Sequence, residues 1–224
     1  MRKNLLLLLT LTLAGCTSTS QNIDTWIDTS LPQSTASIQK MIDDADDGET
    51  VRIPKARYVY DQGIVVEGRE GLRIVFEPGT QLYVDDISAD VFTITGSNDI
   101  EISGALLRHL NPLKQYDCHG AVLVLRDVTG ISITNMELDG CGAIGLSGWN
   151  SSGITVRNCL IRHNSFNGIY LTDCDDVTVR RCVITDNANT VQLYNCGSVE
   201  MSDNRIEGNG GYWEEAGNAG LIGE

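Results

Sequence analysis

The chain has 224 residues, with 16 Lys and Arg against 30 Asp and Glu, for a formal net charge of −14. Setting aside two bases at the extreme N-terminus, Arg2 and Lys3, leaves −16 for the body. Phosphate backbones need a basic surface, so this balance argues against nucleic acid as a partner; a polyanionic ligand would need a divalent cation or a local basic stripe. The length fits one domain with a substantial core.

In chain order, Arg2 and Lys3 precede an apolar run from Leu5 to Leu13 broken only by Thr10 and Thr12, and Leu13-Ala14-Gly15-Cys16 closes it. The run is too short to span a bilayer and has the layered build of a signal peptide. Its L-A-G-C ending resembles the lipobox of bacterial lipoproteins. That resemblance implies export, acylation of Cys16 and a mature chain held to a membrane by lipid. With Thr17 rather than an acid after the cysteine, it implies the outer membrane. Residues 1–15 are therefore expected to be signal peptide, and 16–34 a polar tether.

Thr35 or Ser37 is placed to cap a short amphipathic helix, SIQKMIDDA, that stops at Asp46-Asp47-Gly48. Extended segments follow, and from about residue 98 the chain becomes a ladder. The apolar pairs Ile131/Ile133, Ile154/Val156, Val177/Val179 and Val199/Met201 recur at spacings of 23, 23 and 22 residues. A second series is Met136/Leu138, Cys159/Ile161, Cys182/Ile184 and Asn204/Ile206, and a third is Leu123/Leu125, Ile144/Leu146, Ile169/Leu171 and Val191/Leu193. Each pair brackets one outward residue, which is strand periodicity, and no unit could bury its apolar side alone. Stacked repeats of three short strands solve that problem.

This pattern resembles the parallel β-helix of the pectate-lyase-like superfamily. Asn167-Gly168-Ile169, Val177-x-Val179, Cys182-x-Ile184 and Asn187 fit its rung, and Gly48…Val51-x-Ile53-Pro54…Tyr58 fits its opening turn. The expected fold is all-β: a single-stranded right-handed parallel β-helix of about six coils over residues 35–211, with an N-terminal capping helix. Residues 212–224 form a tail. Either Trp213 folds over the last rung or the end stays open to another chain.

Beyond Cys16, the cysteines fall in pairs one rung apart: Cys118/Cys141, Cys159/Cys182 and Cys174/Cys196. Neighbouring rungs lie about 4.8 Å apart, and in-register Cβ atoms sit farther apart than a disulfide prefers. Cys159/Cys182 and Cys174/Cys196 thus read as buried thiol ladders. Cys118 and Cys141 lie at turns with more backbone freedom, where a disulfide and free thiols remain alternatives.

One turn is long. Arg108 to Gly120, RHLNPLKQYDCHG, interrupts an otherwise regular ladder, and long loops on rigid scaffolds concentrate function. It carries Lys114, Tyr116, Asp117 and His119, residue types suited to proton transfer and to gripping a carboxylate. The string Y-D-C-H resembles the D-P-H segment of alginate C5-epimerases, with Cys118 where that family has Pro and Gly120 where it has an acid. The resemblance implies Asp117 and His119 as acid/base residues with Tyr116 beside them; a turn cap at Asp117 is the plainer alternative. Along the first strand of each coil the outward positions are read as Val124, Gly145, Tyr170 and Gln192, then Arg126, Ser147, Thr172 and Tyr194. Tyr170 and Tyr194 are placed to stack on sugars, with Lys114 and Arg126 as further substrate contacts. No carboxylate pair lies there, against a two-acid hydrolase. Asp173, Asp175 and Asp176 could hold Ca²⁺ at a turn, and no other metal ligand set stands out. Arg157 and Arg180 stack, as do Arg108 and Arg162, followed by His109 and His163; these could grip anionic sugars, and surface ion pairing is the simpler role for the arginines. Two functions follow: lyase or C5-epimerase chemistry on an acidic, uronate-containing polysaccharide, or a non-catalytic envelope lipoprotein binding glycan or protein.

Overall fold

A computed structural model describes residues 29–110, 119–140, 143–210, 213–216 and 221–222. Leu72, Ile74, Ile102, Leu107, Ile133, Leu138, Ile154, Ile161 and Ile184 are all fully buried in one continuous column of apolar side chains. The chain winds around that column as a parallel solenoid, every strand pairing in parallel with its equivalents in adjacent coils. The first strands form a seven-stranded sheet from Ile64–Glu67 through Phe92–Thr95, Leu123–Arg126, Ile144–Trp149, Asn167–Thr172 and Asn189–Tyr194 to Trp213–Ala216. That is one rung more than the sequence ladder counted, because Trp213–Ala216 and Leu221–Ile222 carry both sheets into the segment read as a tail.

Second and third strands belong to one 14-stranded sheet. They are continuous in the early coils, as Arg73–Val84 and Asn98–His109, and separate later, as in Ser152–Arg157 and Leu160–Arg162. Gly104 turns the second of these long strands, with φ +96; a Cβ there would sit 2.4 Å from the Phe76 carbonyl oxygen. In later coils the same corner is a left-handed residue: Asn135, Asn158, Arg181 and Asp203 have φ between 53° and 57°. A second such column, Asp127, Asn150, Asp173 and Asn195, separates first from second strands. Asn and Asp tolerate this conformation best among residues with a Cβ, which is why they punctuate the repeats. The third corner carries an asparagine ladder, buried at Asn164 and Asn187. Asn164 Nδ2 donates to Asn187 Oδ1 at 2.8 Å, and Asn187 Nδ2 donates to Asn209 Oδ1 at 2.9 Å.

The helix at the N-terminal end spans Ile38–Asp43, with Ser37 as its cap: Ser37 Oγ accepts from the Lys40 N–H at 3.1 Å. Ile38 and Ile42 close the end of the core. Gln39 covers the exposed edge of the first coil, its side-chain amide donating to Val65 O and accepting from Val65 N, both at 2.8 Å.

One register differs from the sequence reading. The expected core pair Ile144/Leu146 is displaced by two residues: Leu146 stacks on Leu123 and Ile169, and Gly148 on Leu125 and Leu171. Gly148 occupies a core position without filling it, and Leu171, Cys174 and Ile154 occupy the space its side chain would take. The outward residues of this coil are therefore Ser147 and Trp149, not Gly145 and Ser147.

Candidate functional site

On the outer face of the first-strand sheet, one column runs Thr93, Val124, Ser147, Tyr170 and Gln192, and the next Thr95, Arg126, Trp149, Thr172 and Tyr194. Trp149 is 45% exposed and Tyr194 55%. Tyr170 is half-buried, its ring centroid 6.0 Å from that of Trp149 with the planes tilted by 47°. The indole is anchored, since Trp149 Nε1 donates to Ser147 Oγ at 2.8 Å, and Ser147 is buried as a result. Trp149 and Tyr194 stand two rungs apart, about 10 Å by the strand spacing. Arg126 sits next to Trp149 in the same column and is exposed, paired with Asp90 at 3.3 Å. Asp90 also accepts from the Ala121 N–H at 2.9 Å, which ties the start of Leu123–Arg126 to the coil beneath.

His119 lies two residues before Ala121 and is exposed. Lys114, Tyr116, Asp117, Cys118, Cys141 and Cys16 lie outside the described residues. The structure thus brings Tyr170, Tyr194 and Arg126 onto one face, and adds Trp149, which the sequence reading missed. A strict 23-residue period would have placed Trp149 beside Thr172; the apolarity of Ile144 drew the register away from it.

The arginine stacks divide in two. Arg180 pairs with Asp203 at 3.0 Å on the surface, as the sequence reading expected. Arg108 does not fit that reading. It points outward from its strand yet is buried, in a column that runs Tyr83, Arg108, Asp139 and Arg162 over successive coils. Asp139, 2% exposed, stands between the two arginines: Oδ2 is 3.8 Å from Arg108 and 3.6 Å from Arg162. Asp139 Oδ1 is 2.7 Å from His163 Nδ1, and Arg162 also bonds Glu137. Burial pushes the Tyr83 phenol up to about 12, with Arg108 pulling the other way, so it stays protonated and donates to Gln81 Oε1 at 3.1 Å. A buried carboxylate is tolerated only with such partners. Asp139 escaped the sequence reading because it follows Arg108 by 31 residues across the long turn, not by the regular 23.

The four described cysteines are buried thiols that form no disulfide. Each pair stacks in register, and each thiol reaches a main-chain carbonyl, as Cys159 Sγ does to Arg157 O at 3.3 Å and Cys182 Sγ to Arg180 O at 3.4 Å. The neighbouring sulfur and then burial hold Cys159 and Cys174 above the ordinary thiol range. Among the acidic turn residues, Asp175 Oδ1 accepts the N–H groups of Ser198 and Asp176 at 2.8 and 2.9 Å, which holds its carboxyl below the usual range. Among the described residues, no three His, Cys, Asp or Glu side chains gather as a metal site would require.

The chain matches the family described as right handed beta helix region over residues 62–221, more than half its length. Among solved structures it is similar to a candidate glycosyl hydrolase from Parabacteroides merdae ATCC 43184, at 14% identity and a TM-score of 0.51, covering 66% of this chain and 80% of that one. It is also similar to a pectin methylesterase mutant in complex with a hexasaccharide, at 14% identity and a TM-score of 0.47, over 76% of this chain and 70% of that one. At such identity the likeness concerns the fold alone. No curated protein matches the chain. With the seven-rung parallel sheet and the single stacked core, the family match leads to one conclusion: this chain belongs to the right-handed β-helix family.

Proposed function

We propose that this chain is an exported β-helix, lipid-anchored through Cys16 at the outer membrane, that binds an acidic polysaccharide along its first-strand face and acts on uronate-containing glycan by lyase or C5-epimerase chemistry. The observation that carries the reading is the exposed Trp149/Tyr170/Tyr194 strip, two exposed rings and a half-buried one along a flat parallel face with Arg126 beside them. Apolar rings with fixed orientation stack on the faces of sugars, and a cation nearby suits a carboxylate. Solved relatives of this fold include the candidate glycosyl hydrolase, which agrees with a carbohydrate ligand. Among the described outer-face positions no two carboxylates flank a common point, so two-acid hydrolysis has no support, and His119 at the start of Leu123–Arg126 is the loop's described proton-transfer group.

The test is titration of the chain from Cys16 onward with alginate, pectate and glycosaminoglycan oligomers, with and without Ca²⁺, alongside unsaturated-uronate absorbance and proton NMR of C5 inversion. Trp149→Ala and Tyr194→Ala should each weaken binding about tenfold, the scale of one lost stacking contact. An unchanged affinity in the double variant, or no glycan bound by the wild-type protein, would remove the proposal. His119→Ala reads the loop's chemistry in the same assay. Binding without turnover on every glycan would favour the non-catalytic lipoprotein.

A further inference from the structure

Away from the first-strand face, the corner between second and third strands is concave. A groove of about 690 Å³ runs along it from Gly79 to Arg205. One wall is a single column of outward third-strand residues, Gln81, Leu106, Glu137, Leu160, Val183 and Arg205. Five rung steps separate Gln81 from Arg205 in that register, about 24 Å by the strand spacing. The other wall is the corner column Asn135, Asn158 and Arg181, all in the left-handed conformation and exposed. Gly79, Gly104 and Ala105, with small side chains or none, keep the early coils of the groove open.

The two walls differ in kind. Leu106, Leu160 and Val183 present aliphatic side chains, each part-buried. Across from them, the side-chain amides of Asn135 and Asn158 and the guanidinium of Arg181 bond no other described residue. The acids of the corner are already paired: Glu137 with Arg162, and Asp203, next in the corner column, with Arg180. Arg205 shares Glu207 in an exposed pair of the kind that contributes little. Arg157, exposed before Asn158, has no acid partner among the described residues. At the far end Lys55 lies over Gly79, its Cε 3.1 Å and its Nζ 3.3 Å from where a Cβ would stand. In a chain of net charge −14, this corner offers cations that no acid neutralises, so an anion is the ligand its charges favour.

We propose that this groove is a second binding site, for an acidic oligosaccharide lying along the solenoid axis, with hydroxyls on Asn135 and Asn158 and a carboxylate on Arg181. An amide both donates and accepts, which suits a hydroxyl; an aliphatic wall suits the C–H face of a sugar; a guanidinium suits a carboxylate. An acidic glycan repeats all three groups along its length, as the groove repeats their complements rung by rung. The site lies off the Trp149/Tyr170/Tyr194 strip and shares no residue with it, so it stands or falls separately from the first-strand reading. With both sites filled, one chain holds two glycan strands on different faces.

The experiment follows the side-chain amide NMR signals of Asn135 and Asn158 during titration with alginate and pectate hexamers. A neutral glucose hexamer and polyglutamate serve as controls. Both amides should shift saturably with an acidic hexamer, in wild type and equally in the Trp149→Ala/Tyr194→Ala double variant. Arg181→Asn and Asn158→Asp should each weaken that response about tenfold, the scale of one charge-assisted contact. Asn and Asp tolerate the left-handed backbone at these positions, so both variants should keep the fold. Amides that do not move with either acidic hexamer, or an affinity unchanged in both variants, overturn the proposal. So does a neutral hexamer that saturates the amides equally tightly, because the cations then select nothing. Polyglutamate saturating them as tightly as the hexamers overturns it in favour of an acidic peptide. Amide shifts that survive in a protein whose aromatic strip binds no glycan support this site while removing the first-strand reading.

Discussion

His109 shows how much a single strand-end position depends on its neighbours. It follows Arg108 at the end of a strand and is fully buried, its Nε2 donating to Ala89 O at 2.8 Å. Burial holds the imidazole below its ordinary value. The unfolded chain therefore binds a proton that the folded chain refuses, and stability is complete above about pH 6.5 and falls as the pH drops below it. The slope is at most about 1.4 kcal/mol per pH unit for one group. Urea melts between pH 7 and 5 should show this loss in wild type and a shallower one in His109→Gln; identical slopes would refute the account. Nothing in the residue types around position 109 marks it as buried. Arg162-His163 repeats the dipeptide Arg108-His109, yet His163 is part-exposed and bonded to a carboxylate, while His109 is sealed against a carbonyl.

At the scale of elements, most strands are short and supply little more than an in, out, in triplet, so their partners decide their stability. The first strand of the solenoid has no coil beneath it, and its unpaired N–H and C=O would template pairing with another chain. The helix solves this with one side chain, Gln39, whose amide replaces a peptide group against Val65. Gln39→Leu should keep the fold, cost about 1 kcal/mol, and speed amide exchange at Val65 over that at Val66. Equal exchange at both would show that the amide does not cap the edge. The helix and its start were legible, since Ser37 and the Ile38/Ile42 spacing are local signals. The Gln39 contact was not, because it joins residues 26 positions apart with no repeat to announce it.

For the whole molecule, stacking makes energetics nearly one-dimensional, with each coil supported by the coils on either side. Ile154 lies between Ile131 and Val177 in the buried column. Ile154→Ala should cost about 2–5 kcal/mol by denaturant melts, with exchange accelerated first in the two adjoining coils. A loss of protection spread evenly from Ile64 to Met201 would argue for a single cooperative block instead. The same repetition explains what could be read in advance. The core must present like residues at like positions, so a repeat of 22–23 residues and cysteines in register together determined a parallel β-helix with buried thiol ladders. Only the tertiary structure decided that Gly148 takes a core place, that Trp149 joins the aromatic strip, and that Arg108, Asp139 and His163 meet. Outward residues are under no such periodic demand. Whether they are buried depends on which coils bring them together, and that contact exists only once the stack has formed.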